Sequence, residues 1–319
     1  CTRTRGCPLS ESSKRESPLV VWIVSDGKPG HVNQSLGLAE ALACAAPTET
    51  HMLPALPAWR AGLAWLLKRV PGKALPSPDL IVGAGHATHL TLLAARRARG
   101  GRAVVLMKPS LPRAWFDLCL VPRHDGIAAD AHTLVTEGAL NRIRPATARD
   151  MRQGLLLIGG LSSHFEWDDD ALHLQIRSIL SRTPDTQWTL TTSRRTPPEF
   201  LAGLPALPNL SVVPHTATPP GWLPAQLARC GVAWVTPDSA SMVFEALSAG
   251  AAVGVFDLPC NPKSRVGGAI AQLADSQRVT RFAHWCASGT LHPNSHPLAE
   301  ADRCATRILT WLKSKKKIP

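Results

Sequence analysis

Leu19–His31 reads LVVWIVSDGKPGH. The apolar run Leu19–Ser25 describes a buried strand, and Asn33–Cys44 describes a helix whose apolar face is Leu36, Leu38, Ala39 and Leu42. Between them lies Ser25-Asp26-Gly27-Lys28-Pro29-Gly30-His31. Strand, glycine-bearing turn and helix in this order form the opening unit of a parallel α/β domain. The pattern repeats downstream. Asp79–Val82, Ala103–Met107 and Phe116–Val121 read as strands, Trp59–Arg69 and His86–Arg99 as helices.

Gly138–Arg152 is polar and basic, contains Pro145 and lacks apolar periodicity, so a domain boundary is expected there. The pattern then restarts. Gly154–Ile158, Gln187–Thr191, Leu210–Val213, Val232–Val235 and Ala252–Phe256 read as strands. Helices fit at 171–181, 224–228, 239–249, 265–274 and 298–312. The expected organisation is a disordered leader over 1–18, a Rossmann-like domain over 19–148, a second over 149–300, and a C-terminal helix with a basic tail over 301–319. The fold class is α/β, with two Rossmann-like parallel-sheet domains facing a cleft. Ligands of such sheets bind beyond the carboxyl ends of the strands, so the loops after strands carry the chemistry.

Composition agrees with that architecture. A chain of 319 residues and 34.2 kDa suits two domains. With 45% hydrophobic and 18% charged residues, it can build cores, which excludes wholesale disorder. No uncharged apolar run reaches the ~18–20 residues of a membrane-spanning helix. The net charge of +12 favours anionic partners. No aromatic-interleaved basic motif or helix-turn-helix signal supports nucleic acid. The tail lysines Lys313, Lys315, Lys316 and Lys317 are either a solvated end or a weak attachment to an anionic leaflet. Eight cysteines without a CxxC pair read as reduced thiols, mostly buried, in a cytoplasmic protein. The leader has no apolar h-region and so is not a signal peptide.

Five loops could carry chemistry. In the first, Gly27 and Gly30 admit a ligand close to backbone, Lys28 adds charge, and His31 can exchange a proton near neutral pH; the alternative is a tight turn with a capping histidine. Gly83-Ala84-Gly85-His86 half-matches a dinucleotide fingerprint. Thr88 replaces the third glycine and no acidic residue ends the next strand, which argues against nicotinamide and for a glycine-lined cleft edge at Gly85. Gly159-Gly160-Leu161-Ser162-Ser163 reads as a phosphate contact or a turn. Thr191–Pro197 sets Ser193, Arg194 and Arg195 at a strand end, suited to an oxyanion or to solvent. In Thr236–Ala246, Asp238, Ser241, Glu245 and Ser248 form one polar stripe on an otherwise apolar helix, either holding ligand hydroxyls or facing solvent. Asp168-Asp169-Asp170 reads as a helix N-cap rather than a metal-binding DxD. His86 and His89 lack carboxylate or cysteine companions, so no metal site is expected.

The blocks SDGKPGHVNQSLGLAEAL, FDLCLVPRHD, TTSRRTP and VTPDSASMVFEA resemble, in the same order, those of the mitochondrial-fission (elongated mitochondria) family. More distantly the chain is similar to GT-B glycosyltransferases, especially the N-acetylglucosaminyltransferase that completes the peptidoglycan lipid precursor. Gly27, Gly30 and His31 stand at that enzyme's first turn, Gly159, Gly160 and Ser162 at its second-domain turn, and Glu245, Ala246 and Gly250 at its ribose-holding helix. Gly-Gly-Leu-Ser in place of Gly-Gly-Ser, and Lys28-Pro29 in place of small residues, depart from its pattern.

The resemblance implies a metal-independent glycosyltransferase acting on a nucleotide-diphosphate sugar as substrate, with no cofactor. It implies His31 as general base or orienter. Gly160, Ser162, Ser193, Arg194, Asp238, Ser239, Ser241 and Glu245 would hold the donor, and Gly27, Lys28, Gly30 and Gly85 the acceptor or a phosphate. A saccharide or lipid-linked acceptor, UDP as the nucleotide, and a peripheral site at the inner face of a membrane complete the expectation. The alternative is a non-catalytic scaffold of the same fold at a membrane surface, as in mitochondrial fission.

Overall fold

The computed structural model describes residues 17–314 except 147 and 205. Residues 1–16 of the expected leader, and the tail lysines Lys315–Lys317, lie outside the described residues.

The first half runs β1 (Leu19–Ser25), α1 (Pro29–Ala45), β2 (Thr48–Pro54), α2 (Ala58–Leu67), β3 (Leu80–Ala84), α3 (His89–Arg99), β4 (Arg102–Leu106), β5 (Leu118–Pro122) and β6 (Thr133–Thr136). The second runs β7 (Asp150–Leu157), α4 (Asp169–Arg182), β8 (Gln187–Thr191), β9 (Leu210–Val213), α5 (Trp222–Leu227), β10 (Cys230–Val235), α6 (Ala240–Ala249), β11 (Ala252–Val255), α7 (Arg265–Asp275), β12 (Thr280–Arg281), α8 (Phe282–Ser288) and α9 (Glu300–Ser314).

Each half forms a six-stranded sheet, ordered β2-β1-β3-β4-β5-β6 and β12-β11-β10-β7-β8-β9. All strand pairings within them are parallel. Both sheets are sandwiched by helices, which explains why central strands such as β1 and β5 are apolar on both faces. In the first domain, Val21, Ile23 and Leu106 face α1. Trp22, Val24 and Val105 face α3 on the opposite side. In the second, Leu155, Leu157 and Val253 pack under α6 and α7, while Leu156, Trp188 and Trp234 pack under α4 and α8. The expected α/β class, two Rossmann-like domains with parallel sheets, is therefore observed.

Three features differ from the sequence reading. Helix α1 starts at Pro29, four residues before Asn33, because proline at the first helical position loses no needed N–H; His31 is thus inside the first turn. Strands β2, β6 and β12 had no apolar run to announce them. They are edge strands, and β2 is buried only at Leu53. Finally, α9 crosses back to the first domain, where Cys304, Ala305, Ile308 and Trp311 join Leu38 and Leu42 of α1 in one core. Asp168 accepts from the Ala171 amide and caps α4 as expected. The six described cysteines are unpaired, with Cys119, Cys230 and Cys304 buried.

The strand orders fix where loops diverge. In the first sheet the crossovers leave β1 and β3 in opposite directions; in the second they leave β7 and β10 so. A crevice opens above each of these strand pairs.

Candidate functional site

The crevice of the first sheet holds His31. Its Nδ1 lies 2.8 Å from Asp26 Oδ2, and Asp26 is nearly enclosed while a fifth of the His31 side chain stays open to solvent. Burial raises the Asp26 carboxyl, but hydrogen bonds from His31 and the Lys28 amide, with the positive charge of both residues, outweigh it and leave the pKa below its ordinary value. An ionised Asp26 accepts from Nδ1–H, and whenever the imidazole is neutral that bond leaves the lone pair on Nε2. From the other side of the crevice comes Gly85, at φ +83°, and any Cβ there would overlap the His31 ring. Thus the glycine is required twice, for its backbone conformation and for the close approach. Gly27, also left-handed at φ +78°, turns the chain into α1, and its amide donates to Ser25 Oγ. Lys28 precedes the helix with its side chain exposed.

The crevice of the second sheet gathers most of the remaining predicted residues. The Gly159 amide donates to Thr236 Oγ1, and the Gly160 amide to Asp238 Oδ2 at 2.9 Å. Asp238 is buried and paired with Arg195 at 2.7 Å; its Oδ1 has no partner among the described residues. Arg195 also donates to the carbonyls of Gly160 and Leu161. Ser193 Oγ donates to the Gly159 carbonyl, and Ser162 Oγ accepts from the amides of His164 and Phe165. Arg194 is exposed, and Ser239 is buried just before α6. Of the two adjacent arginines, Arg195 is the one locked into the loop network. The Gly160 amide is already bonded to protein.

Of the expected polar stripe, Ser241, Glu245 and Ser248 on helix α6 turn toward the first domain, whereas Asp238 precedes the helix and is paired within its own domain. Asn33 Nδ2 donates to Glu245 Oε1 across the gap at 3.0 Å. Asn141 donates to Ser248 Oγ, also at 3.0 Å, in a buried contact. Phe244 stacks on His124 of the first domain with ring centroids 6.1 Å apart. Below these contacts a cavity of about 580 Å³ opens, lined by Pro29, Gly30 and Asn33 of α1, Leu223, and Ser241 and Glu245 of α6. That volume is in the range of small-molecule sites. His31 itself is not among the lining residues; its ring rests against Gly85, although its neighbour Gly30 lines the cavity.

Burial raises the Glu245 carboxyl to about 7, against the opposing hydrogen bond from Asn33. A raised acid binds its proton more tightly folded than unfolded. This contribution to stability is therefore complete below the ordinary carboxylate value of 4.5 and is lost as pH climbs through about 7. Glu245→Gln keeps the acceptor for Asn33 and removes the titration. The variant should gain stability relative to the parent by about 2 kcal/mol between pH 5 and pH 8, read from urea unfolding at both values. An unchanged difference would show that Glu245 is not desolvated in solution.

The structure thus brings Gly30, Ser241 and Glu245 to one cavity, His31, Gly27 and Gly85 to one crevice, and Gly160, Ser193 and Asp238 to another. Asp26 and Asn33 join these groups although neither carried an assigned role in the sequence reading, and Arg195, read there beside Arg194 as suited to an oxyanion, is bound instead to Asp238. An aspartate at the end of a strand, five residues before the histidine, was the available signal for Asp26. Among the described residues no cluster of three or more His, Cys, Asp or Glu could hold a metal. No helix among them is long and apolar enough to cross a membrane.

A candidate UDP-N-acetylglucosamine 2-epimerase from Listeria monocytogenes superposes with TM-score 0.63 at 12% identity, covering 94% of this chain and 97% of that one. MurG of Acinetobacter baumannii gives 0.53 at 14%, covering 93% and 100%. The UDP-GlcNAc 2-epimerase of Neisseria meningitidis, bound to UDP-GlcNAc, gives 0.53 at 12%, covering 94% and 100%. At such identities the likeness establishes the fold, the GT-B arrangement shared by glycosyltransferases and these epimerases. No curated protein sequence matches the chain. The family model for mitochondrial fission ELM1 matches residues 29–312, from the first turn of α1 into the last turn of α9, and the chain belongs to that family.

Proposed function

We propose that the protein is a metal-independent GT-B glycosyltransferase that moves a sugar from a nucleotide diphosphate, UDP in the first instance, to a saccharide or lipid-linked hydroxyl. The observation that carries this reading is the meeting of α1 and α6. The helix turn that holds the Asp26-paired His31 also supplies Asn33, which reaches Glu245 across the cavity wall. Glu245 and Ser241 offer acceptors for ribose hydroxyls. The pyrophosphate would lie at the N-terminus of α6, where free amides and the helix dipole favour anions, with Arg194 available from the neighbouring loop. Asp238 does not spoil that seat, because Arg195 neutralises it. In the transfer step the acceptor oxygen bonds to the anomeric carbon, the bond from that carbon to the phosphate oxygen breaks, and the diphosphate leaves with the electron pair. The acceptor proton passes to His31 Nε2.

A second reading has its own support. The Gly160 amide and the Arg195 guanidinium, both suited to an oxyanion, are already satisfied by Asp238, and the family is named for fission rather than for a reaction. On this reading the fold serves as a non-catalytic binding module. Calorimetry decides whether a nucleotide enters at all. UDP and UDP-N-acetylglucosamine should bind the full chain, with Glu245→Ala weakening UDP roughly tenfold. Absence of binding by UDP, GDP, ADP and CMP at millimolar concentration would end the donor assignment.

A further inference from the structure

Helix α2 is built inside out. Its packed side is Ala61 and Ala64. On the opposite side, where a helix on the surface of a domain normally presents polar residues, stand Trp59, Leu63 and Leu66, which are 67%, 49% and 66% exposed. Trp65 and Leu67 flank them, 45% and 55% exposed. Contiguous apolar surface of this kind marks an interaction face rather than scattered exposure.

The charges around it are of one sign. From Thr50 to Pro78 the sequence contains Arg60, Lys68, Arg69 and Lys73 and no carboxylate. Arg60 lies over the Trp59 ring, and Arg97 of α3 over Trp65, 4.2 Å from its centroid. Trp and Leu on one face, with Arg and Lys beside them and no acidic residue, is the composition of a helix that lies in the interface of a lipid bilayer. A second copy of the chain is a poor occupant, because a symmetric contact would set these cations against one another. The same charges suit acidic headgroups.

We infer that the outward face of α2, centred on Trp59, Leu63 and Leu66 and ringed by Arg60, Lys68 and Arg69, docks on an anionic lipid surface. This assignment is separate from the basic tail and independent of whether the cleft is catalytic. The face begins just past the carboxyl end of β2, so docking holds the His31 end of the first sheet toward the bilayer.

The test is co-sedimentation of the full chain with vesicles of phosphatidylcholine, alone or mixed with phosphatidylglycerol at one part in three. Leu63→Glu/Leu66→Glu changes only exposed side chains, and a circular dichroism melt checks that it folds. A chain ending at Ser314 removes Lys315, Lys316 and Lys317 of the tail. Binding should require phosphatidylglycerol, fall about tenfold or more in the double variant and in Lys68→Glu/Arg69→Glu, and survive loss of the tail to within a fewfold. Wild-type binding that the double variant retains, binding abolished by the tail deletion alone, or no binding to phosphatidylglycerol vesicles would each overturn the assignment. So would a dimer in sedimentation velocity that Leu63→Glu/Leu66→Glu dissociates, or an acidic protein partner captured in place of lipid.

Discussion

His31→Asn is expected to lower turnover of UDP-N-acetylglucosamine by about 10²–10⁴-fold while leaving UDP affinity within a fewfold of the parent. The reasoning is local. Asn fits the space against Gly85 and can still donate to Asp26, but it has no group that takes a proton near neutral pH. Asp26→Asn should also be severe. An amide facing Nδ1 can act as donor, which turns Nδ1 into the acceptor and moves the imidazole proton to Nε2, where the reaction needs a lone pair. Loss of about 10–10³-fold is expected, in kcat rather than in UDP affinity, since Asp26 touches no residue of the α6 face. Released UDP, measured beside calorimetric affinities, separates the two effects. Parent and His31→Asn proteins that bind UDP-sugar alike and turn over none of it would instead favour the non-catalytic module.

Gly160→Ala should be the most damaging single methyl in the second domain. A Cβ at this position would overlap the backbone of Arg195 at its carbonyl, and backbone cannot rotate out of the way as a side chain can. The loop after β7 and the loop after β8 would have to separate. That strains the Gly160 amide to Asp238 bond and the Arg195 bonds to the Gly160 and Leu161 carbonyls together. A loss of about 2–4 kcal/mol in unfolding free energy is expected, with UDP binding reduced in the protein that remains folded. By contrast, Arg194→Ala should leave stability unchanged, because Arg194 is exposed. A Gly160→Ala protein as stable as the parent would mean that the Gly159-Gly160 loop is not packed against the Arg195 loop in solution.

Much of this fold is legible because its central strands are buried on both faces. Runs such as LVVWIVS and the second domain's GLLLI need no alternation to be read, and the loops after them advertise the crevices with glycine. What escaped is what lies at edges and what depends on long-range packing. TETHMLP of β2 has one buried side, and β12 is two residues long, so neither carries an apolar signature. The start of α1 was displaced because proline reads as a break when it also serves as a first helical residue. The return of α9 to α1 is a tertiary choice that an amphipathic pattern does not specify. At the site, the sequence marks Asp238, Ser241, Glu245 and Ser248 as one stripe but cannot say what it faces. The structure answers for Glu245 and Ser248 with Asn33 and Asn141 of the other half, while Asp238 precedes α6 and turns to Arg195 of its own domain. The choice between Arg194 and Arg195 is likewise set by which guanidinium can reach Asp238, a distance that neighbouring letters do not encode.

The central claim is that the gap between α1 and α6 is a nucleotide site. A crystal structure of the full chain soaked with UDP tests it most directly. The account predicts density in the cavity lined by Asn33 and Glu245, with the ribose against the Glu245 carboxylate and the phosphates at the N-terminus of α6. UDP bound elsewhere, with Asn33 still donating to Glu245 over an empty cavity, would contradict it.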